Sequence, residues 1–176
     1  MFDLLKTAGA DRIMSVDLHA AQSQGFFDGP VDHLVAMPVL VDYIRDRFQG
    51  HLDNVAVVSP DAGRIRVAEQ WAQRLGGGPL AFVHKTRDIT RPNQAVANRV
   101  VGDVAGKDCV LVDDLIDTAG TIAGACHVLQ DAGAKSVTVV ATHGVLSGPA
   151  IERLKNCGAR EVVLTDTVPI PEEKRW

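Results

Sequence analysis

Short runs rich in β-branched residues recur along this chain: Ile13 to Val16, Val55 to Val58, Leu80 to Val83, Val110 to Val112, Val137 to Ala141 and Val162 to Thr165. Amphipathic stretches lie between them, with helical periodicity over Val35 to Phe48, Ile65 to Leu75, Thr121 to Ala132 and Pro149 to Asn156. The strand runs are continuously apolar and do not alternate with polar residues, which is what a strand covered on both faces requires. This rhythm predicts an α/β protein, a parallel sheet with helices on both sides. Val96 to Val101 reads as a further strand, and Gly102 to Lys107 as a turn into the strand that starts near Cys109.

Composition bounds function more than fold. Of 176 residues, 46% are hydrophobic and 23% charged, an ordinary globular balance with enough apolar surface for a core. The net charge of -4 gives no global cationic field to collect nucleic acid or anionic lipid, so any anion-binding surface must be local. The longest apolar run, Leu34 to Val41, is far shorter than the roughly 20 residues of a membrane helix, and Pro38 interrupts it. Met1 to Ala10 lacks the charged-then-apolar order of a secretion signal. Cys109, Cys126 and Cys157 are odd in number, far apart and set in apolar segments, so they read as reduced core thiols of a cytoplasmic protein.

A corner repeats three times, each just before a strand: Ala8-Gly9-Ala10-Asp11, Ala132-Gly133-Ala134-Lys135 and Cys157-Gly158-Ala159-Arg160. Each glycine reads as a helix terminus in the left-handed conformation. After the first two, a histidine follows ten residues later at a strand's carboxyl end, His19 and His143. The copies have no fixed period, which excludes a solenoid.

The most informative segment is Val110-Leu111-Val112-Asp113-Asp114-Leu115-Ile116-Asp117-Thr118-Ala119-Gly120-Thr121, an apolar strand, two acids, a small turn and a helix start. A tight turn entering a helix aims several backbone N–H groups at one point, where the helix dipole also favours negative charge, so a phosphate fits there. Ala119 and Gly120 allow close approach, and Thr118 and Thr121 carry hydroxyl donors. Asp113 and Asp114 are acceptors suited to the adjacent hydroxyls of a ribose. Helix capping alone does not call for three acids after one buried strand.

Other nucleotide motifs fail on inspection. Gly102-Asp103-Val104-Ala105-Gly106-Lys107 has one residue too few between its glycines for a phosphate loop, and Asp108 stands where Ser or Thr should bind magnesium. Ser59-Pro60-Asp61-Ala62-Gly63-Arg64 leaves a strand and enters a helix, offering a second phosphate-accepting turn. Asp17 to Asp32 begins at a strand end and continues into a polar and aromatic loop; His19 there, with Asp61, can hold Mg2+ through water and phosphate oxygens. The stretch from Lys85 to Gln94 is basic and polar, contains Pro92, and reads as a mobile loop.

Taken together, Asp17 to Asp32, Ser59 to Gly63, Lys85-Thr86-Arg87, Val110 to Thr121, and Thr142-His143 with Leu146-Ser147-Gly148-Pro149 resemble the ribose-phosphate pyrophosphokinases, or phosphoribosyl pyrophosphate synthetases. The Asp17 to Asp32 pattern is specific to that family, whereas Asp113 to Thr121 is shared with phosphoribosyltransferases. The resemblance implies a type I phosphoribosyltransferase-like parallel sheet flanked by helices. It divides the chain into residues 1–33, the truncated tail of an N-terminal synthetase domain; 34–168, the phosphoribosyltransferase-like domain; and 169–176, a truncated C-terminal segment.

The implied reaction moves the β,γ-diphosphoryl group of ATP to O1 of ribose 5-phosphate, giving phosphoribosyl pyrophosphate and AMP. By similarity, Asp117, Thr118, Ala119, Gly120 and Thr121 cradle the 5-phosphate, and Asp113 and Asp114 hold the ribose hydroxyls. Asp61, Ala62 and Gly63 take the diphosphate, His19 and Asp61 the magnesium ion, and Lys85 and Arg87 act on the transferring group. The family usually has a second glycine where this chain has Arg64. The resemblance also implies a homo-oligomer at full length, no nucleic-acid or membrane partner, and an inactive or weakly active fragment, because family members carry an additional first domain. A phosphoribosyltransferase shares the Asp113 to Thr121 motif, and a noncatalytic synthetase-associated regulatory subunit shares the fold; Asp17 to Asp32 speaks against the first, and His19, Lys85 and Arg87 against the second.

Overall fold

All the continuous apolar runs but Ile13 to Val16 lie in one mostly parallel sheet, and successive residues within several of them feed two different cores. A computed structural model describes residues 1–86 and 97–176. Strands β3 (Val55–Ser59), β4 (Leu80–Thr86), β5 (Ala97–Val101), β6 (Asp108–Ile116), β7 (Ser136–Gly144) and β8 (Glu161–Leu164) follow α1 (Phe2–Thr7), β1 (Ile13–Val16), β2 (Val31–Leu34) and α2 (Met37–Arg47). Helix α3 (Ile65–Arg74) follows β3, α4 (Gly120–Asp131) follows β6, and α5 (Ala150–Asn156) follows β7.

The main sheet has the order β5-β4-β3-β6-β7-β8. All its neighbours are parallel except β4 and β5, where Phe82 pairs with Val101 in an antiparallel edge. That antiparallel edge strand departs from the all-parallel expectation. In β3, Ala56 and Val58 join one core with α4 and α5, while Val55 and Val57 join the other with α2 and α3. In β6, Cys109 and Leu111 take the first side, Val110 and Val112 the second. The period-two geometry of a strand thus splits one apolar run between two layers.

Helix α1 precedes Gly9, as that glycine's reading as a helix terminus expects, whereas β2 was not apparent from the sequence. Strand β2 pairs in parallel with β1, Ile13 opposite Val31 and Val16 opposite Leu34, as a separate two-stranded sheet. Pro38, which breaks the apolar run, sits in the first turn of α2, where its missing N–H removes no helical bond. The three recurring glycines follow α1, α4 and α5 with φ of 99°, 83° and 71°, as expected for helix termini. Cys109, Cys126 and Cys157 are buried and unpaired. No helix among the described residues is long and apolar enough to cross a membrane.

Candidate functional site

Strand order places the candidate residues together. From β3 the chain runs outward to β4 and β5, then returns to β6 on the other side of β3. The carboxyl ends of β3 and β6 therefore flank the point where the winding reverses, the crevice where open α/β sheets bind ligands. Both turns singled out in the sequence leave these two strands.

The first turn is fastened by its own side chains. Asp61 Oδ1 accepts the amide hydrogen of Gly63 at 2.8 Å and caps a short 3-10 turn over Ala62–Arg64 that leads into α3. Buried Ser59 donates its hydroxyl to the carbonyl of Asp61 at 2.6 Å. These bonds settle Asp61 Oδ1 on the backbone and fix the shape of the turn.

Strand β6 carries the acid pair. Asp113 Oδ1 accepts the Asp114 amide at 2.9 Å. Burial, assisted by the hydrogen bond and negative charge of Asp114, pushes the Asp113 carboxyl up to about 7. Burial acts on Asp114 in the same direction, but Asp113 as donor, the Arg64 charge and His19 outweigh it and hold Asp114 below the usual carboxylate range. The pair is thus split into one proton-holding and one ionised acid, as neighbouring carboxylates in a shared low-dielectric site must be.

A cleft of roughly 730 Å³ opens over these groups, lined among others by Asp17, His19, Asp61, Arg64, Asp113 and Asp114. Gly63 also lines it; Ala62 sits in the adjoining turn. Asp117, Thr118, Ala119, Gly120 and Thr121 form a separate turn beyond the same strand and do not line that cleft. In it, Ala119 takes the left-handed conformation, φ 58° and ψ 11°, immediately before α4. A non-glycine residue held there is a strained position of the kind that accumulates at ligand turns.

That turn is held from outside. Ser147 donates its hydroxyl to Asp117 Oδ1, and its amide donates to the Asp117 carbonyl at 3.0 Å. Arg153 of α5 donates from Nη1 to the Thr118 carbonyl at 2.9 Å. A Cβ on Gly120 would meet the same guanidinium at 3.3 Å, so the glycine allows the arginine to approach. The carbonyls of Asp117 and Thr118 are thus both engaged from this side.

The two similarly placed histidines diverge. His19 is an exposed cleft residue, whose Nδ1 lies 2.8 Å from Asp114 Oδ2. His143 ties sheet elements together, donating from Nε2 to the Val16 carbonyl at 2.9 Å, with Nδ1 on the Thr167 hydroxyl at 2.8 Å. Asp17, at positive φ of 42°, accepts the Thr142 hydroxyl at 2.6 Å and the Ala36 amide at 3.0 Å, which fastens β1 to β7. Arg64 reaches Asp114 and His19 from the first turn. Sequence reading gave Asp17, Thr142, Ser147 and Arg153 no role, and read Arg64 as a departure from a glycine that either changes the diphosphate turn locally or adds a positive contact. Lys85 ends near the close of β4, but its side chain, Arg87 and most of the loop from Lys85 to Gln94 lie outside the described residues.

His19 and Asp61 are the residues that would hold a Mg2+ ion here. His19 Nε2 has no hydrogen-bond partner among the described residues, and Asp61 keeps Oδ2 outside its capping bond; both line one cleft. Two protein donors leave the remaining positions to water and phosphate oxygens, the coordination this ion prefers.

Residues 84–175 match the family model of the phosphoribosyl synthetase-associated domain. The chain belongs to that family. It is 99% identical over 176 residues to the ribose-phosphate pyrophosphokinase of Bifidobacterium longum, of which it spans 52%. The crystal structure of phosphoribosylpyrophosphate synthetase from Mycobacterium smegmatis superposes with a TM-score of 0.91 at 60% identity, over 99% of this chain and 55% of that one. The chain therefore spans about half the length of the relatives it matches. The orotate phosphoribosyltransferase of Aeropyrum pernix, 25% identical with a TM-score of 0.53, covers 74% of this chain and 72% of its own. The expected fold class and the family resemblance are both borne out.

Proposed function

We propose that this synthetase-family chain forms the sugar-phosphate half, and part of the diphosphate side, of a ribose-phosphate diphosphokinase. The reaction transfers the β,γ-diphosphoryl group of ATP to O1 of ribose 5-phosphate; the O1–P bond forms, the α,β bridge breaks, and AMP leaves. The observation that carries the reading is the pairing of two turns at adjacent strand ends: the capped Asp61–Arg64 turn after β3 and the Asp117–Thr121 turn after β6, with the acid pair between them in the chain's active crevice.

Each group has a task that its chemistry suits. Asp114, ionised, accepts from the ribose diol; Asp113, holding its proton near neutrality, fixes the pair and donates or accepts as the sugar demands. The Asp117–Thr121 turn binds the 5-phosphate through the N-terminus of α4. Ala62 and Gly63 supply amides to the diphosphate. Mg2+, when held by His19 and Asp61, neutralises charge on the phosphate oxygens. Lys85 and Arg87 add positive charge to the transferring group, which lowers the barrier by charge stabilisation and positioning. The same reading places the protein in the cytoplasm, where its buried unpaired thiols stay reduced, and assembles it as a homo-oligomer at full length.

Incubation of the protein with ATP, Mg2+ and ribose 5-phosphate, followed by separation of nucleotides, tests the activity. AMP and phosphoribosyl pyrophosphate in equal amounts support it. ATP hydrolysis without sugar diphosphate, or release of a single phosphate, overturns it.

A further inference from the structure

The most constrained contact in the cleft is at one nitrogen. His19 Nδ1 has two neighbours that make opposite demands: Asp114 Oδ2 at 2.8 Å, which only accepts, and Arg64 Nη2 at 2.5 Å, which only donates. A ring nitrogen either carries hydrogen and donates or carries a lone pair and accepts. It cannot satisfy both neighbours. Arg64 keeps its hydrogens under all ordinary conditions, so it cannot yield. Asp114 can, because Arg64 Nη2 also donates directly to the same Oδ2, and that oxygen needs no hydrogen from the imidazole. Arg64 is held there; its side chain is only 18% exposed and Asp114 only 10%, while His19 is 79% exposed and free to adapt.

We propose that Arg64 is a positioning residue that sets the tautomer of neutral His19 and thereby its ability to take a cation. With the guanidinium in place, Nδ1 accepts and the ring hydrogen sits on Nε2, which then has no lone pair to offer. Without it, Nδ1–H donates to Asp114 and the Nε2 lone pair is available, the carboxylate–histidine–metal arrangement in which the carboxylate fixes the tautomer. A phosphate anion that draws Arg64 off Nδ1 has the same effect, so the arginine ties anion arrival to cation binding. A glycine at position 64 has no such control. The step from tautomer to cation rests on the reading of His19 as a magnesium ligand given above; the tautomer itself does not.

The test uses the chain with 15N-labelled histidine at pH about 8, above the usual imidazole range near 6.5. His19 is one of 6 histidines, and its signals are those lost in His19→Gln. Long-range proton–nitrogen spectra are expected to show the Nε2–H form in the parent protein and the Nδ1–H form in both Arg64→Ala and Arg64→Met. The methionine fills space without a donor, so it keeps the comparison open should the alanine variant fail to fold. Unchanged His143 signals report an intact fold, since that ring is bonded to Val16 and Thr167. An Nδ1–H form already in the parent, or no change in a folded variant, overturns the assignment.

Titration with Mn2+, read as paramagnetic broadening of the His19 ring, then measures the cation. Loss of the Arg64 hydrogen bond is expected to lower the midpoint about tenfold. Equal midpoints with an inverted tautomer overturn the link from Arg64 to cation binding. Broadening at His19 in none of the proteins, with the tautomer inverted, sinks the magnesium reading while supporting the role of Arg64.

Discussion

Asp113 turns its Oδ1 back onto the amide of Asp114, 2.9 Å away, so that two neighbouring acids of one strand sit in unequal environments. Asp113, pushed up to about 7 by burial and by its neighbour's charge, keeps its proton into the neutral range. A carboxyl raised in the folded state stabilises the fold most below its ordinary pKa, near 4, and that contribution is lost as pH rises through 7. Asp113→Asn removes the titration. Melting temperature is therefore expected to fall from pH 5 to pH 8 by several degrees more in the parent than in the variant, each pKa unit being worth about 1.4 kcal/mol. Parallel curves would show that Asp113 titrates normally.

Asp114 has the opposite character. It is ionised, largely buried and paired with Arg64. Asp114→Asn keeps the shape but strands the guanidinium, so it is expected to cost about 1 to 3 kcal/mol of stability. Asp113→Asn combined with Asp114→Asn is expected to abolish ribose 5-phosphate binding in calorimetry while circular dichroism shows a folded protein. Unchanged affinity would remove both acids from the sugar site.

How much of this was readable in the sequence follows from range. The β3 and β6 runs and their turns are local patterns, since a continuous apolar segment followed by small and acidic residues needs only its own chemistry to be recognised. Strand β2 escaped because Val31-Asp32-His33-Leu34 has just two apolar residues and is a strand only through its pairing with β1. Arg64 to Asp114 spans 50 residues, and Thr142 to Asp17 spans 125. No periodicity encodes such contacts. Ser147 and Arg153 were missed for the same reason: they reach the Asp117 carboxylate and the Thr118 carbonyl of a turn 30 or more residues earlier, and no local pattern marks such partners.

Arg153 braces the Asp117–Thr121 turn without being part of it. Its bond to the Thr118 carbonyl is partly exposed and charge-assisted, so Arg153→Ala is expected to lower stability by only about 1 kcal/mol. Ribose 5-phosphate affinity is expected to fall about tenfold, because the turn must then be ordered on binding. Arg153→Lys, which cannot reproduce the planar fork, is expected to recover little. A large melting shift with unaltered affinity would assign the residue to α5 packing instead.

Lys85 and Arg87 are expected to separate binding from chemistry. Groups that meet charge developing in the transition state lower kcat when removed and leave ground-state affinity nearly intact. In a full-length protein, Lys85→Ala and Arg87→Ala are each expected to reduce kcat by a factor of about 100 to 1000 with little change in ribose 5-phosphate affinity. A rise in KM at constant kcat would make the basic stretch a binding element.

The 176-residue chain on its own offers a final separation. Asp113 and Asp114, the proposed ribose acids, lie within β6, the proposed 5-phosphate turn follows directly, and the residues that fasten that turn, Ser147 and Arg153, come from the loop after β7 and from α5. Every support of the sugar half is thus carried by one continuous sheet and its helices. Binding of ribose 5-phosphate is expected to survive in this chain, measurable by calorimetry and lost in Asp113→Asn combined with Asp114→Asn. Transfer asks for more: the diphosphoryl group must be aligned in line with O1, and a misplacement of about 1 Å costs on the order of 100-fold. The chain spans about half the length of the relatives it matches, and AMP formation is expected to be far slower than in a full-length relative. Equal rates under the same ATP, Mg2+ and ribose 5-phosphate would mean that these residues align both substrates unaided.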